Sequence, residues 1–309
     1  MVTKGKRIIK LRETINKEWS KYYFKFIDDN NDKELHWYWI SCSPNITWEI
    51  IIDNPDKPWN WLGISCNPNI TYKIIEDNPL QNWDWYGISS NPNITMEFII
   101  DNHTKPWNWY RISINPNITY KNIIDNPLRN WDWDNISRNP NITMEIIIDN
   151  PMQNWDWQGV SNNPNITMEF IRDNPDEDWD WQSISMNPNI TYKIIKDNPD
   201  EDWVWYGISM NPNITMEIII ENPDEDWDWN GISRNPNTTM DIIRDNPMQN
   251  WSYISCNPFT KEKEQFINRK YREHMAKYKI QQWCLSIIVS PHYKIGRTMI
   301  DRKYKELFV

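Results

Sequence analysis

The sequence contains little glycine and no long apolar run. Only 7 of its 309 residues are glycine, against 21 prolines, so proline sets most of the breaks in regular structure. No stretch of about 18 consecutive apolar residues occurs, which excludes a membrane-spanning helix. The first residues are charged and lack an apolar core, so they do not form a secretory signal. We therefore expect an intracellular protein that is neither secreted nor membrane-bound.

The sequence is also poor in groups that carry out catalysis. Its four histidines are scattered, and its four cysteines show no close paired spacing, with Cys42 and Cys66 merely one repeat apart. No phosphate-binding glycine loop, Cys/His zinc pattern or Ser-His-Asp spacing occurs. Free thiols in a reducing compartment fit this pattern. We predict a protein that is not an enzyme, with no catalytic residue, no cofactor and no metal ligand.

What the sequence does contain is a repeat of 24 residues. The phrase Asn-Pro-Asn-Ile-Thr, or a close variant, recurs at this spacing, and two tryptophans follow it in nearly every copy. A shortened tenth copy follows the last full one, and a worn copy without prolines precedes the first. A fixed period of this length is typical of solenoids, in which each unit buries its apolar face against its neighbours. The copies begin at Ser43, Asn67, Asn91, Asn115, Asn139, Asn163, Asn187, Asn211 and Asn235.

The first half of each copy has the periodicity of a helix. The positions of Met144 and Ile147 stay apolar in every copy. The positions of Glu145 and Ile148 change between copies. Constant apolar positions at i and i+3, with variable ones at i+1 and i+4, indicate a helix. A strand is the alternative because Ile and Thr favour sheets, but neighbouring Ile147 and Ile148 break the alternation that a strand requires.

The second half of each copy predicts another short helix. Trp157, Val160 and Ser161 lie at helical spacing, and their positions barely change between copies. A polar residue before the first tryptophan, such as Asn154, is placed to cap the start of this helix. Each Asn-Pro step then ends the preceding helix, because proline disfavours helical geometry in the residue before it.

Together these patterns predict an all-α protein: an α-solenoid of about ten 24-residue two-helix repeats with helical N- and C-terminal caps. Helices under about 12 residues are marginal in water, so stacking must stabilise them. We expect the tryptophan and isoleucine columns to form the interior. With helix axes about 8–10 Å apart, an open array of ten units extends over on the order of 90 Å.

The predicted domains follow the repeat and the charge. Residues 1–42 form a basic N-terminal cap with a degenerate repeat, residues 43–260 the solenoid, and residues 261–309 a basic helical C-terminal cap. In the C-terminal segment we predict one long helix that starts at Thr260 and ends at Ser290, before a proline. Its simplest role is to cover the exposed face of the last repeat.

Two recurring phrases, "NPNIT-[WYM]-[EK]-II-x-DNP" and "W-[DN]-W-x-x-IS-x-NPN", resemble the tandem-repeat proteins encoded by giant DNA viruses of amoebae, the mimivirus relatives. The resemblance covers about residues 28–260 and involves the whole phrase rather than one dipeptide. It implies a repeat fold, a viral origin and a place in the host cytoplasm or the virion. It implies no reaction.

Charge is distributed unevenly along the chain. Residues 1–27 carry 8 Lys+Arg and 2 Asp+Glu, and residues 261–309 carry 12 and 5. Residues 28–260 carry 13 and 36, a net charge of −23 within a total of −10. Nucleic acid is therefore disfavoured as a partner along the solenoid, because phosphates require positive charge.

The acids are concentrated in three consecutive copies that contain "PDEDW". We expect them to form a stripe that binds a protein partner of basic character. Calcium binding is one alternative, but the glycine turn and ligand spacing of a calcium loop are missing. The other alternative is that these acids are solvated residues at helix starts, where they complement the helix dipole. The candidate partner-binding residues are Asp176, Glu177, Asp178, Asp200, Glu201, Asp202, Asp224, Glu225 and Asp226.

The leading hypothesis is a non-enzymatic repeat scaffold for protein–protein interaction, viral and acting in the host cell. Its specificity is expected at the variable positions, those of Glu145, Ile148, Gln158, Gly159 and Asn162. One alternative is a virion or assembly component that self-associates through its basic and acidic regions. A second is a carbohydrate-binding module that uses exposed tryptophan.

Two smaller predictions concern individual side chains. Trp157 lies on the constant face and is expected in the core, whereas Trp155 is the tryptophan expected to be partly exposed. Every Asn-Ile-Thr is formally a glycosylation sequon, but we interpret its Asn and Thr as helix caps.

Overall fold

The computed structural model describes residues 4–245, 250–290 and 292–307. Over these residues the regular structure is entirely helical and contains no strand, so the predicted all-α class is confirmed. Helix α1 spans Lys4–Asp29, α21 spans Thr260–Val289 and α22 spans Lys294–Leu307. The predicted limits of the long C-terminal helix are therefore confirmed. Between α1 and α21 lies a series of short helices of two alternating types.

The first type, called the A helix here, begins at the second tryptophan of each copy and ends next to the Asn-Pro step. The residue before it is its N-cap in most copies: the Asp156 carboxylate accepts a 2.5 Å hydrogen bond from the Gly159 amide. The A helices are α2 (Trp37–Cys42), α4 (Trp61–Cys66), α6 (Trp85–Ser90), α8 (Trp109–Ser113), α10 (Trp133–Arg138), α12 (Trp157–Ser161), α14 (Trp181–Met186), α16 (Trp205–Met210), α18 (Trp229–Arg234) and α20 (Trp251–Ile254).

The second type, the B helix, begins after the threonine of Asn-Ile-Thr. The Thr143 hydroxyl caps one of them by accepting a 3.4 Å hydrogen bond from the Ile146 amide. At the other end, the Asn150 side chain donates to the Ile146 carbonyl at 2.8 Å. The B helices are α3 (Trp48–Asp53), α5 (Tyr72–Asp77), α7 (Met96–Asp101), α9 (Tyr120–Asp125), α11 (Met144–Asp149), α13 (Met168–Asp173), α15 (Tyr192–Asp197), α17 (Met216–Glu221) and α19 (Met240–Asp245).

The A helix begins later than predicted, at the second tryptophan rather than the first. The cap is Asp156 instead of Asn154, and Trp155 lies in the extended link ahead of the helix. The Trp155 indole N–H donates to the Asn150 carbonyl at 2.9 Å, which holds this tryptophan in the turn. In the shortened tenth copy, residues 246–249 lie outside the described residues.

Isoleucine forms the interior of the array, whereas tryptophan lies at its border. Ile142 and Ile166 are fully buried, as are their equivalents in the other copies. Trp155 and Trp157 are only half-buried, so the prediction that Trp157 is a core residue is wrong. The second tryptophan of each copy meets the first tryptophan of the next copy edge to face, with ring centroids 5.0–5.3 Å apart in eight such pairs.

A column of buried asparagines, the asparagine ladder, joins successive copies. The Asn163 side-chain amide donates to the carbonyls of Ser137, Asn139 and Ile142 at 2.8, 3.1 and 3.0 Å. The Ser137 carbonyl lies where the Asn-Pro step interrupts helical hydrogen bonding, so it needs an outside donor. The ladder consists of Asn67, Asn91, Asn115, Asn139, Asn163, Asn187, Asn211, Asn235 and Asn257.

The asparagine of each sequon has a similar role. The Asn165 side chain donates to the carbonyls of Pro140 and Ile142 in the preceding copy, at 2.8 and 3.0 Å. Thr167 caps the following B helix through a 3.2 Å bond from the Phe170 amide. The interpretation of the sequon as a helix cap is therefore right for threonine and wrong for asparagine.

The first and last copies are hydrogen-bonded to each other, so the array closes on itself. The His36 amide donates to the Ser255 hydroxyl at 2.9 Å, the same kind of bond that joins consecutive copies elsewhere. The Asn45 side chain donates to the Pro258 carbonyl at 2.8 Å, as sequon asparagines do throughout. The α-solenoid is confirmed, but its units do not extend in a line, as the expected length assumed.

Curvature arises because one row of helices packs more tightly than the other. Neighbouring A helices pack directly against each other, while the B helices of the described chain stand further apart. In a closed array the tighter row is the inner one, so the A helices form the inner row. The end of α1 supplies the B helix that is missing ahead of α2, since Phe24 stacks on Trp59 at 5.8 Å and Asp28 pairs with Lys57.

The chain divides into two compact units. The array and its closure lie within Ser20–Glu262. The other unit comprises the residues up to Trp19 and those from Lys263 onward. In this unit Trp19 is fully buried against Phe266, with ring centroids 5.4 Å apart.

No described helix combines the length and apolar composition that a membrane span requires. The three predicted domain segments remain a prediction.

Glycine determines how closely adjacent A helices approach. A Cβ at Gly87 would lie 2.6 Å from the Leu62 carbonyl oxygen and 2.8 Å from the Ser65 Cβ. Where Ser183 takes the equivalent position, the A helices pack less closely. The variable position of Gly159 is therefore buried rather than exposed, and the expectation that it supplies binding specificity is wrong.

Removing one rung of the ladder should destabilise the fold. We expect Asn163→Ala to lower the free energy of unfolding by about 1–3 kcal/mol, because it leaves the buried Ser137 carbonyl without a donor. The control Gln158→Ala, at an exposed position nearby, should change it by less than about 0.5 kcal/mol. Urea unfolding monitored by circular dichroism measures both, and equal effects would contradict the ladder's role.

Adding a methyl group between two A helices should also destabilise the array. We expect Gly87→Ala to cost about 1–3 kcal/mol, because the new Cβ overlaps the Leu62 carbonyl. Gln182→Ala is the control, since this A-helix side chain is exposed and has no hydrogen bond among the described residues. Melting temperatures of the two variants test this, and a Gly87→Ala protein as stable as the control would show that close approach is unnecessary.

Candidate interaction surface

The predicted acidic stripe lies on the loops that lead from a B helix to the next A helix. In each loop the same backbone bonds recur: the Glu177 amide donates to the Asn174 carbonyl at 3.5 Å, and the Trp179 amide donates to the Glu177 carbonyl at 3.0 Å. Because the next two copies repeat these bonds, their acidic side chains occupy equivalent positions. The structure therefore brings the nine predicted residues together on three consecutive loops.

The six aspartates of the stripe, called the acidic arc here, are exposed. Within the described residues they form no side-chain hydrogen bond or ion pair. Their charges are all of one sign, and mutual repulsion disfavours the compact state. The acidic arc consists of Asp176, Asp178, Asp200, Asp202, Asp224 and Asp226.

The three glutamates of the stripe differ from the aspartates because they are half-buried. The Glu225 carboxylate accepts hydrogen bonds from the Lys196 ammonium at 2.5 Å and from the Tyr192 hydroxyl at 3.3 Å. This bond raises the pKa of Lys196. At the start of the array, an ion pair between Asp28 and Lys57 occupies the equivalent place. There the acid lies on the helix and the base on the loop, the reverse of Lys196 and Glu225. Glu225 therefore joins two copies of the repeat and is less available to a partner than the aspartates.

Next to the acidic arc the same loop position is apolar. Leu80, Leu128 and Met152 occupy the position of Asp176 in earlier copies and are 93–96 % exposed. Ile148 on the neighbouring B helix is 62 % exposed and lines a groove of about 520 Å³ that also includes Phe170. The loop surface thus changes from apolar to acidic between successive copies.

The predicted variable positions fall on two sides of the array. Glu145 and Ile148 are exposed on a B helix, and Gln158 and Asn162 are exposed on an A helix. Because the A helices form the inner row, one partner surface cannot contact all four positions equally. Only the B-helix positions adjoin the loops that carry the acidic arc.

Trp155, the tryptophan expected to be partly exposed, does not provide a free stacking surface. The Trp155 ring packs edge to face against Trp133 at 5.2 Å and lies against Tyr120 at 6.2 Å, while its N–H is bonded to the Asn150 carbonyl. A sugar ring needs an open aromatic face. The geometry therefore gives no support to carbohydrate binding at this position.

Comparisons with known proteins and the search for a metal site add no further candidate. Protein-family models, curated protein sequences and solved structures give no match to this chain. Within the described ranges, no group of three or more His, Cys, Asp or Glu side chains is placed to hold a metal ion.

Neutralising the acidic arc should leave the fold intact. We expect a variant with all six aspartates changed to asparagine to be at least as stable as the parent at low salt, because like-charge repulsion is removed. The difference should disappear at high salt, where charges are screened. Melting curves at two salt concentrations measure this. A variant that melts well below the parent would show that these aspartates serve folding.

Proposed function

We propose that this chain is a non-enzymatic scaffold for protein–protein interaction and that the acidic arc binds a protein partner of basic character. The supporting observation is the arc itself: six exposed aspartates at equivalent positions of three consecutive copies, none with a partner among the described residues. A surface that opposes folding and contributes no internal contact is best explained by an external ligand.

The surroundings of the arc indicate what kind of partner fits. Met152 and Ile148 lie on the copy that precedes the arc and are exposed. A partner that combines lysine or arginine with apolar side chains would contact both regions. Because the aspartates are exposed, their attraction should weaken as salt screens it, while apolar contacts should persist.

We further propose a viral origin and an intracellular place for this protein, in the host cytoplasm or the virion. The support is the resemblance of its two repeat phrases to the tandem-repeat proteins of giant amoeba-infecting viruses. Closed stacking of repeats without convergent titratable groups suits a scaffold better than an enzyme.

Self-association is the second candidate function, and a specific observation favours it. The residues up to Trp19 and from Lys263 onward carry 17 Lys+Arg and 6 Asp+Glu, against 16 and 37 in the unit that contains the array. In the basic unit, Ile280, Trp283 and Leu285 are exposed, at 60, 63 and 51 %. A second copy of this chain therefore has the charge and the apolar residues expected of the partner.

A binding experiment with matched variants tests the proposal. A fluorescent Lys/Arg-rich peptide should bind the parent more tightly at about 50 mM than at about 500 mM NaCl and should lose affinity for the six-asparagine variant. The control variant neutralises six exposed acids elsewhere and should bind like the parent. An equal loss of peptide affinity in both variants would show that binding depends only on net charge, which would contradict the proposal. The control changes Asp53, Asp56, Glu97, Asp101, Asp149 and Asp245.

Light scattering distinguishes the two candidates. If the partner is a second copy, the parent should form oligomers that grow with concentration and dissolve in salt, and the six-asparagine variant should stay monomeric. A parent that remains monomeric at every concentration, while still binding the peptide, supports a different protein as the partner.

A further inference from the structure

Closure of the array brings together three cysteines that are distant in the chain. Cys42, Cys66 and Cys256 occupy the same repeat position, directly after Ile-Ser, near the ends of α2, α4 and α20. Since α20 is the neighbour of α2 in the closed array, the three thiols lie on consecutive A helices in the order Cys256, Cys42, Cys66. All three are free and half-buried.

Two of these thiols lie on A helices in close contact. The Cys42 thiol donates to the Trp39 carbonyl and the Cys66 thiol to the Gly63 carbonyl, each at 3.3 Å. Helix α4 packs so closely on α2 that a Cβ at Gly63 would lie 2.9 Å from the Ser41 Cβ and 3.3 Å from the Cys42 amide nitrogen. On the other side of α2, toward α20, Trp39 occupies the position that Gly63 occupies in α4. No hydrogen bond joins Cys42 to Cys256.

The charges of two inner-row arginines act on the thiols, since Arg111 lowers the pKa of Cys66 and Arg234 opposes the effect of burial on the pKa of Cys256. The Arg111 guanidinium lies 4.2 Å from the Tyr86 ring centroid, and its buried Nε has no hydrogen-bond partner. Arg234 donates to the Tyr206 hydroxyl at 2.9 Å. Neither arginine pairs with a carboxylate of the described chain, although acids greatly outnumber bases in this unit. Positive charge beside a thiol favours its thiolate form.

The two thiols of the pair are unequal in acidity. The neighbouring Cys42 thiol is the largest cause that lowers the pKa of Cys66, and the Arg111 charge adds to it. The neighbouring Cys66 thiol raises the pKa of Cys42, and burial raises it further. Cys66 is therefore the more acidic thiol of the two and forms the nucleophilic thiolate more readily.

We propose that Cys42 and Cys66 form a redox-active thiol pair that reacts with hydroperoxides and closes to a disulfide between α2 and α4. The Cys66 thiolate attacks one oxygen of the O–O bond, which breaks, and Cys66 becomes a sulfenic acid. The other oxygen leaves with a proton as water or an alcohol. The Cys42 sulfur then attacks the Cys66 sulfur, the S–S bond forms, and the sulfenic oxygen leaves as water with the Cys42 proton.

The helix packing suits this product. A disulfide needs Cα atoms within about 7 Å of each other, which requires two backbones in close approach. The glycine contact provides that approach between α2 and α4, whereas Trp39 separates α2 from α20. The bridge should therefore form between Cys42 and Cys66 rather than between Cys42 and Cys256.

Peptide mapping after mild oxidation tests the proposal. The full chain, treated with hydrogen peroxide, should form a single Cys42–Cys66 disulfide per molecule while Cys256 and Cys284 remain open to alkylation. Under the same treatment Cys42→Ser should accumulate a Cys66 sulfenic acid that dimedone traps, because the second thiol is missing. Cys66→Ser should form neither product. Circular dichroism and melting curves confirm that the variants are folded.

A variant of Arg111 tests its effect on the thiolate. Arg111→Gln should slow the alkylation of Cys66 by iodoacetamide several-fold and leave the rate at Cys284, in the other unit, unchanged. Three results would overturn the proposal: a Cys42–Cys256 bridge instead, oxidation of Cys284 ahead of Cys66, or no bridge at peroxide concentrations that oxidise Cys284.

Discussion

The side-chain amide of the first asparagine in each Asn-Pro-Asn phrase is the interaction on which the array depends. Proline has no N–H, so each Asn-Pro step leaves carbonyl groups at the end of an A helix without helical partners. The asparagine of the next copy supplies two N–H donors to these groups, and its own oxygen accepts a bond from the Asn165 amide at 2.9 Å in one copy. A serine or threonine has one donor and could not meet the same need. Burial of isoleucine contributes stability, but the asparagine sets which copy lies where.

Closure follows from the same bonds, because each relates one copy to the next by nearly the same rotation. After ten A helices the rotation returns the chain to its start, and the Ser255 hydroxyl accepts from His36 as it would from another copy. The two end faces cover each other, so the array needs no cap of the kind that an open solenoid requires. Closure also places Cys256 beside Cys42, which makes a candidate reactive site out of a position that is unremarkable in the linear order.

Local features of the sequence predicted the helices well, but they did not predict how the copies are arranged in the array. The constant i and i+3 positions of Met144 and Ile147 predicted the B helix, and Ser290 before proline predicted the end of α21. Closure could not be predicted, because a small rotation per copy leaves no mark in the pattern of any one copy. Trp157 was expected in the core because its position is constant, but it is constant for its edge-to-face contact with Trp179. The acidic loops were predicted from charge alone, yet only the structure separates the free aspartates from Glu225. The recurrence of Ile-Ser-Cys at Cys42, Cys66 and Cys256, each time directly before Ser-Pro or Asn-Pro, was the signal that could have indicated the thiol cluster.

Hydrogen exchange at asparagine side chains tests the asparagine ladder most directly. In a nitrogen-15-labelled sample, the side-chain amide protons of the nine ladder asparagines should exchange as slowly as backbone amides of the A helices, because all are buried and bonded. The side chain of Asn45, which donates across the closure, should be protected to a similar degree. Rapid exchange along the ladder, at the rate of an exposed side chain such as Asn154, would contradict a fold built on it. Rapid exchange at Asn45 alone would mean that the array is open in solution.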